Sequence, residues 1–215
     1  YAKEGAARYL SGLEIQSLWG RCLRRAGFPV AYSQGFNPSP RLSFSPALPV
    51  GTESKAEFVE AEFFLPVTAP DLVSRLPEVL PEGISVVSAR YLSPGIPRLS
   101  DFDISCTYLM EPVSPGAIPE WISPGSVAKA WLDFQAAATF TVAVTREENL
   151  REIDLKPLVA NFQVNGSELS ITIIHGTGRG VRPLDAASAL MNMPFPPDRF
   201  AVRKISADLI PRKKK

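Results

Sequence analysis

Apolar residues recur at helical spacing between Ser11 and Gly27. Leu13, Leu18, Trp19, Cys22, Leu23 and Ala26 form the stripe, with polar residues between them, which predicts an amphipathic helix. Ser11 and Glu14 stand in the S-x-x-E relation, in which the hydroxyl takes the third amide and the carboxylate reaches back to the cap. Gly27 and Pro29 supply the stop, since one tolerates a left-handed turn and the other cannot continue a helix. Residues 6–10 predict the end of a strand whose beginning is short or cut off.

From Ala31 to Arg41 the residues Gly35, Asn37, Pro38 and Pro40 predict a loop of turns and extended backbone. Residues 41–50 read as extended, with Leu42 and Phe44 on one face. Pro46 and Pro49 confine that segment to an edge or a bulge, because neither can donate to a ladder. Over 56–65 the alternation is cleaner: Phe58, Glu60, Glu62 and Phe64 share one parity, and Val59, Ala61 and Phe63 the other. That is a strand covered in part on both faces. Residues 69–80 predict a short helix with Leu72, Leu76 and Leu80 inward, and 83–92 a β-rich run. The resulting order, strand–helix–strand–strand–helix–strand, is the ferredoxin-like split βαβ pattern.

The turn-rich stretch 94–100 reads as a linker, separating a first half (1–93) from a second (101–211). Strand-like runs at 102–111, 138–146 and 169–175 surround a helix near 126–135, and a short helix is expected near 154–161. Residues 183–192 read as a helix with Pro183 in its first turn, and 199–209 as a closing strand. Asn165-Gly166 is a hairpin signal. The expected fold is α+β, with two ferredoxin-like halves built on mainly antiparallel sheets; the second half is assigned from element order alone.

Composition narrows the chemistry. The 215 residues carry 23 Lys and Arg against 22 Asp and Glu, a formal charge of +1, so anion binding has to come from local clusters. One His and two unpatterned cysteines, Cys22 and Cys106, give no zinc or iron–sulfur spacing and fit a reducing compartment. The familiar motifs for phosphate loops, serine nucleophiles, zinc proteases and dinucleotide folds do not occur. No apolar run reaches the roughly 18 residues that span a bilayer, so a cytoplasmic, non-membrane chain is expected. A start at Tyr1 rather than Met is expected of a fragment or of a chain that has lost its beginning.

Four segments carry a family resemblance. They are Gly5–Glu14, Arg24–Phe44 with its run Ala31-Tyr32-Ser33-Gln34-Gly35-Phe36-Asn37-Pro38, Glu152–Leu158, and Gly180–Pro183. In these the chain resembles the radical-SAM-linked domain family of unknown function. That family's domain usually follows a radical SAM and cobalamin-binding-like region or is encoded beside one, with genes often near those for ribonuclease E/G. The resemblance implies association with a radical SAM protein and, by genomic company, with RNA. The family usually has Ser-His-Leu-Asp where this chain has Ser11-Gly12-Leu13-Glu14, and His between two prolines where this chain has Ser39. Histidine chemistry at those positions is therefore absent here. The element order is also similar to the ferredoxin-like RNA-handling folds of CRISPR repeat-processing proteins and tRNA pseudouridine synthases, an analogy of fold alone.

Three clusters are candidate sites. Arg21, Arg24 and Arg25 lie on neighbouring faces at the end of the first helix, where they form a basic patch with Arg41 and Arg8 or merely complement the helix dipole. The segment Tyr32–Arg41 concentrates Tyr32, Gln34, Phe36, Asn37 and Arg41 on a proline-stiffened backbone. Rings can stack on unpaired bases, amides can read base edges and a guanidinium can hold phosphate. The structural alternative is an Ω-type loop with Phe36 plugging the core and Asn37 capping its own turn. The third cluster is the glycine-rich run before Pro183, with Arg179 and Arg182, which resembles an anion cradle or a plain flexible loop.

Glu53, Glu57, Glu60 and Glu62 are open to a hard cation or to a solvated strand face, and Asp154 to a helix N-cap. The basic tail Arg212–Lys215 carries no assignment.

The expected function is a non-catalytic RNA- or substrate-binding module working with a radical SAM protein in RNA modification or processing. No cofactor is expected in this chain; the iron–sulfur cluster and S-adenosylmethionine would sit on the partner. One alternative is a metal-independent RNA-processing enzyme drawing its acid and base from Tyr32, His175, Lys156 or Asp154. Another is a protein–protein adaptor anchored by Phe36 and Trp121.

Overall fold

The computed structural model describes residues 1–93, 95–114, 122–146, 149–166, 168–176 and 180–212, with backbone only over 144–146 and 149–151. Trp121, Arg179 and Lys213–Lys215 lie outside the described residues. The fold is α+β, with two compact units: Tyr1–Phe102 together with Pro211 and Arg212, and Asp103–Ile210.

The first unit contains β1 (Ala2–Lys3), α1 (Gly12–Arg25), β2 (Leu42–Phe44), β3 (Glu53–Ser54), β4 (Val59–Ala61), α2 (Ala69–Arg75) and β5 (Ile84–Ser85). Strand β1 lies between β5 and β3, antiparallel to both, with Lys3 opposite Ile84 on one side and Ser54 on the other. Strands β2 and β4 form a separate antiparallel pair, Leu42 opposite Ala61 and Phe44 opposite Val59. The expected strand over 56–65 is therefore shorter, and Ser45 fills the gap before it. Its amide donates to the Phe58 carbonyl, and the Phe58 amide donates to its hydroxyl at 3.2 Å.

Helix α1 carries both halves of the expected capping box: Glu14 N donates to Ser11 Oγ at 3.3 Å, and Ser11 N to Glu14 Oε2 at 2.7 Å. It buries Ile15, Leu18, Trp19, Cys22 and Leu23 against Phe28, Val30, Leu76 and Ile84. Full burial of each large side chain is worth about 1.5–3 kcal/mol, so this stripe dominates the unit's stability. Leu13, expected in the stripe, is 78% exposed. It stands about half a turn away from Cys22 around the helix, and Ile15 takes the inward position.

Two further expectations are corrected. Residues 6–10 are not a strand end, because Gly5–Tyr9 form a 3-10 turn entered through Gly5 at φ +56°. Within 83–92 only Ile84–Ser85 joins a ladder, since the partner strand β1 is two residues long.

The second unit contains, apart from the end residues Phe102 and Pro211, β6 (Phe102–Pro112), α3 (Pro124–Ala136), β7 (Thr141–Arg146), β8 (Asn149–Asp154), β9 (Val159–Asn165), β10 (Glu168–His175), α4 (Pro183–Met191) and β11 (Phe200–Pro211). Its strands run in the order β11-β6-β10-β9, with β7 and β8 as a separate hairpin. Alternate residues Ile104, Cys106, Tyr108 and Met110 of β6 meet Leu169, Ile171 and Ile173 of β10 on the buried face. Asn165-Gly166 turns β9 into β10, with Gly166 at φ +61°.

The helix expected over 154–161 does not form, and β8 and β9 flank a single turn there instead. Leu155, Leu158 and Val159 imitate a helical stripe, and the Leu158 and Val159 amides do return to the Leu155 carbonyl. The chain then enters the ladder with β10.

Candidate functional site

The stretch expected to be a loop is a hydrogen-bonded hairpin. Arg41 N donates to Ala31 O and Ser33 N to Ser39 O, each at 2.9 Å, and Tyr32 bridges to Pro40. The arms are tied further by Ser39 N donating to Ser33 Oγ at 3.0 Å, the two hydroxyls lying 3.2 Å apart. Gln34–Pro38 are thus raised as a tip, turned through Gly35 at φ +132°. Phe36 at this tip is fully exposed and does not plug the core. Asn37 caps no turn; its amide and that of Gln34 are exposed and make no hydrogen bond among the described residues. Tyr32, in contrast, is half-buried and packs against the core.

The base of the hairpin rests on α1. A Cβ at Gly20 would come within 3.2 Å of Pro40 Cγ, so the glycine lets the hairpin lie against the helix. Gly20 and Arg24 share a face at i, i+4 spacing, which sets the arginine beside the hairpin's base. Arg21, Arg24 and Arg25 are exposed, and their side chains make no hydrogen bond or ion pair among the described residues. The carbonyl end of α1 is served instead by Arg75, whose guanidinium donates to Ala26 O and lies 4.5 Å over the Phe28 ring. Arg75 thus takes one carbonyl past the end of α1, while Arg24 and Arg25 stand in its last turn, where their charge complements the helix dipole.

Arg41 is engaged through one nitrogen. It pairs with Glu62 at 2.7 Å, and the other oxygen of Glu62 takes Arg98 at 2.5 Å. Arg8 pairs with Glu53 at 3.4 Å and donates to the Tyr9 hydroxyl. Both guanidinia fasten the first unit to itself. The acidic residues accordingly form no common cluster: Glu53 serves Arg8 and the Gly5 amide, and Glu60 takes the Leu99 amide at 2.6 Å.

Glu57 departs furthest from the expected solvated strand face. It is buried at 6% exposure, where its Oε2 accepts the Ser45 hydroxyl at 2.6 Å. With Lys3, buried at 3% exposure, it lines a cavity of about 220 Å³ under α1. Desolvation pushes the Lys3 ammonium below its ordinary pKa, and the Glu57 charge pulls it back up. Burial pushes the neighbouring Tyr1 phenol up, and Glu57 adds to that rise. Nothing in the periodicity singles out these residues; only the short ladder of β1 brings them under the helix.

In the second unit Arg182 is exposed at the entry to α4. Arg179 lies outside the described residues, so the expected cradle is represented by Arg182 alone. The residues considered for acid–base work are held structurally. Lys156 Nζ donates to the carbonyls of Phe134 and Gln135 at 2.9 and 3.0 Å, closing the end of α3. Asp154 accepts from the amides of Lys156 and Phe140, both at 3.1 Å, and these bonds hold its carboxyl below the usual range. It caps a turn rather than a helix. His175 Nε2 lies 2.9 Å from the Tyr108 hydroxyl, edge-on between rings. That pairing was not legible without the register, which sets His175 opposite Ile104 and Ile171 opposite Tyr108.

No helix among the described residues is long and apolar enough to cross a membrane. Comparison with curated proteins yields no match. A bacterial family described as "Uncharacterized protein conserved in bacteria (DUF2344)" matches residues 1–183, a span that takes in the hairpin, the arginine face and the cavity. The chain belongs to the DUF2344 family.

Proposed function

We propose that this chain is a non-catalytic RNA-binding module that presents single-stranded RNA to a radical SAM protein. The observation that carries the reading is Phe36, fully exposed at the tip of a hairpin whose arms are closed by backbone and serine hydrogen bonds. A ring exposed to water on a stiffened support has little to gain in the free molecule, but it offers a stacking platform to an unpaired base. Gln34 and Asn37 flank it with unengaged amides for a base edge. Arg21, Arg24 and Arg25 supply phosphate contacts beside the hairpin's base. Arg41 acts as a positioning residue through Glu62, and Arg182 is an additional anion contact on the second unit. The iron–sulfur cluster and S-adenosylmethionine belong to the partner in this reading, which places the complex in the cytoplasm.

Strand order supports the finer assignment of two ferredoxin-like units. In the second, β11-β6-β10-β9 is the fourth–first–third–second order of that fold once the β7–β8 hairpin is treated as an insertion. In the first, β5-β1-β3 with β4 and β2 continues the same order, with its third strand broken between Ser54 and Val59.

Binding of the chain to single-stranded RNA across a salt series tests the proposal. Three phosphate contacts imply a slope of about −2 in log K against log salt. Charge removal at Arg21, Arg24 and Arg25 should flatten that slope. A protein adaptor is the second reading, favoured by Phe36, Phe64 and Leu65 all being exposed. It requires capture of the radical SAM partner undiminished by salt, with no RNA retained.

A further inference from the structure

We infer that Phe36 inserts between two successive bases and so selects single strands whose bases stack weakly on one another, uridine-rich RNA above all. The inference rests on the RNA reading and narrows its ligand. Phe36 is 104% exposed, so no neighbouring residue covers either face of its ring. A ring lying on a sheet or helix surface offers one face and receives one base. A ring standing clear at a hairpin tip offers two, and a base on each uses the whole π-surface.

The surroundings of the ring suit insertion. Gly35 beside it brings no side chain, and nothing stands within 4 Å of where its Cβ would be. Behind the tip, the arms are tied by Ser33 and Ser39 and braced where Pro40 meets Gly20. The ring is thus supported from below and open at its flank. Gln34 and Asn37 do not fix the choice of base, because a carboxamide carries donors and an acceptor and turns to suit any base edge. The arginines of α1 hold phosphates and read no sequence. Discrimination is left to stacking.

An inserted ring doubles the roughly 3.4 Å spacing of stacked neighbours and breaks the contact between them. Adjacent purines lose a strong stack when they are opened, whereas adjacent uridines lose little. The ring therefore gains net stacking at a uridine step and gives back much of that gain at an adenine step.

Titration of the full chain with ten-nucleotide oligouridylate and oligoadenylate, at low salt and then across a salt series, tests it. Both carry the same phosphates, so the arginines treat them alike, and the difference between them reports stacking. Oligouridylate should bind about tenfold more tightly. Phe36→Ala should bring the two affinities together with the salt slope unchanged. Phe36→Leu, apolar but without flat faces, should do the same. The ring is fully exposed, so both variants should melt with the unaltered chain. Equal affinities, lowered equally by Phe36→Ala, would overturn the insertion and keep the RNA reading, with the ring as a one-faced platform. Tighter binding of oligoadenylate, or a uridine preference that survives Phe36→Ala, would overturn it too. If neither oligomer binds at low salt, the RNA reading itself falls and the inference with it.

Discussion

Phe36 and Lys3 are opposite cases of a side chain in the less comfortable environment, one an apolar ring in water and the other a cation out of it. Phe36→Ala removes a ring that touches no core, so it should leave the melting temperature within the spread of ordinary surface substitutions, about 0.5 kcal/mol. The same change should weaken single-stranded RNA binding by about 1–3 kcal/mol, the worth of one stacked base. Parallel melting and RNA titration check both halves. For Lys3, burial lowers the folded-state pKa, so between that value and the ordinary lysine value of about 10.4 the unfolded chain binds more protons than the folded one. Stability therefore rises with pH through that window. The urea midpoint should climb as pH rises toward the ordinary lysine value in the unaltered chain, and Lys3→Met should lose the part of the climb due to this residue. Neither residue's environment was legible from sequence. Phe36 is apolar and Lys3 charged, and composition rules assign them the reverse of the burial they have; the hairpin ladder and the two-residue β1 decide it.

Elements with short-range signals formed as expected. Ser11 and Glu14 specify the start of α1 through bonds made within four residues, and Asn165-Gly166 specifies a hairpin through the left-handed backbone of Gly166. Ser11→Ala should cost about 1 kcal/mol, as loss of an N-cap usually does, measurable as a shift in chemical denaturation midpoint. Elements whose form depends on distant partners depart from their local pattern. The apolar spacing of Leu155, Leu158 and Val159 satisfies a helix, yet pairing with β10 overrides it. The hairpin at 31–41 has the sequence of a loop because its closure uses Glu62 and Gly20 as well as its own serines. Gly83 illustrates the same dependence: at φ +83°, its Cβ would stand 2.4 Å from the Glu4 carbonyl oxygen. Gly83→Ala should therefore destabilise the first unit by at least ~1–3 kcal/mol, the cost of such backbone strain, with the loss read from the same denaturation curves.

At the scale of the whole molecule, a formal charge of +1 gives no general attraction for polyanions. The proposed RNA binding therefore has to come from a local surface, which separates the proposal from a basic protein coating itself with nucleic acid. The family match spans the hairpin, the arginines and the cavity without attaching a chemistry to any of them. Photocrosslinking of the chain to single-stranded RNA carrying 4-thiouridine, with the crosslinked residues identified by mass spectrometry, tests the central claim most directly. The account predicts crosslinks concentrated at Gln34–Asn37 and on the Arg21–Arg25 turn of α1, and their loss in Phe36→Ala. Crosslinks spread over other surfaces, or none at low salt, would contradict it.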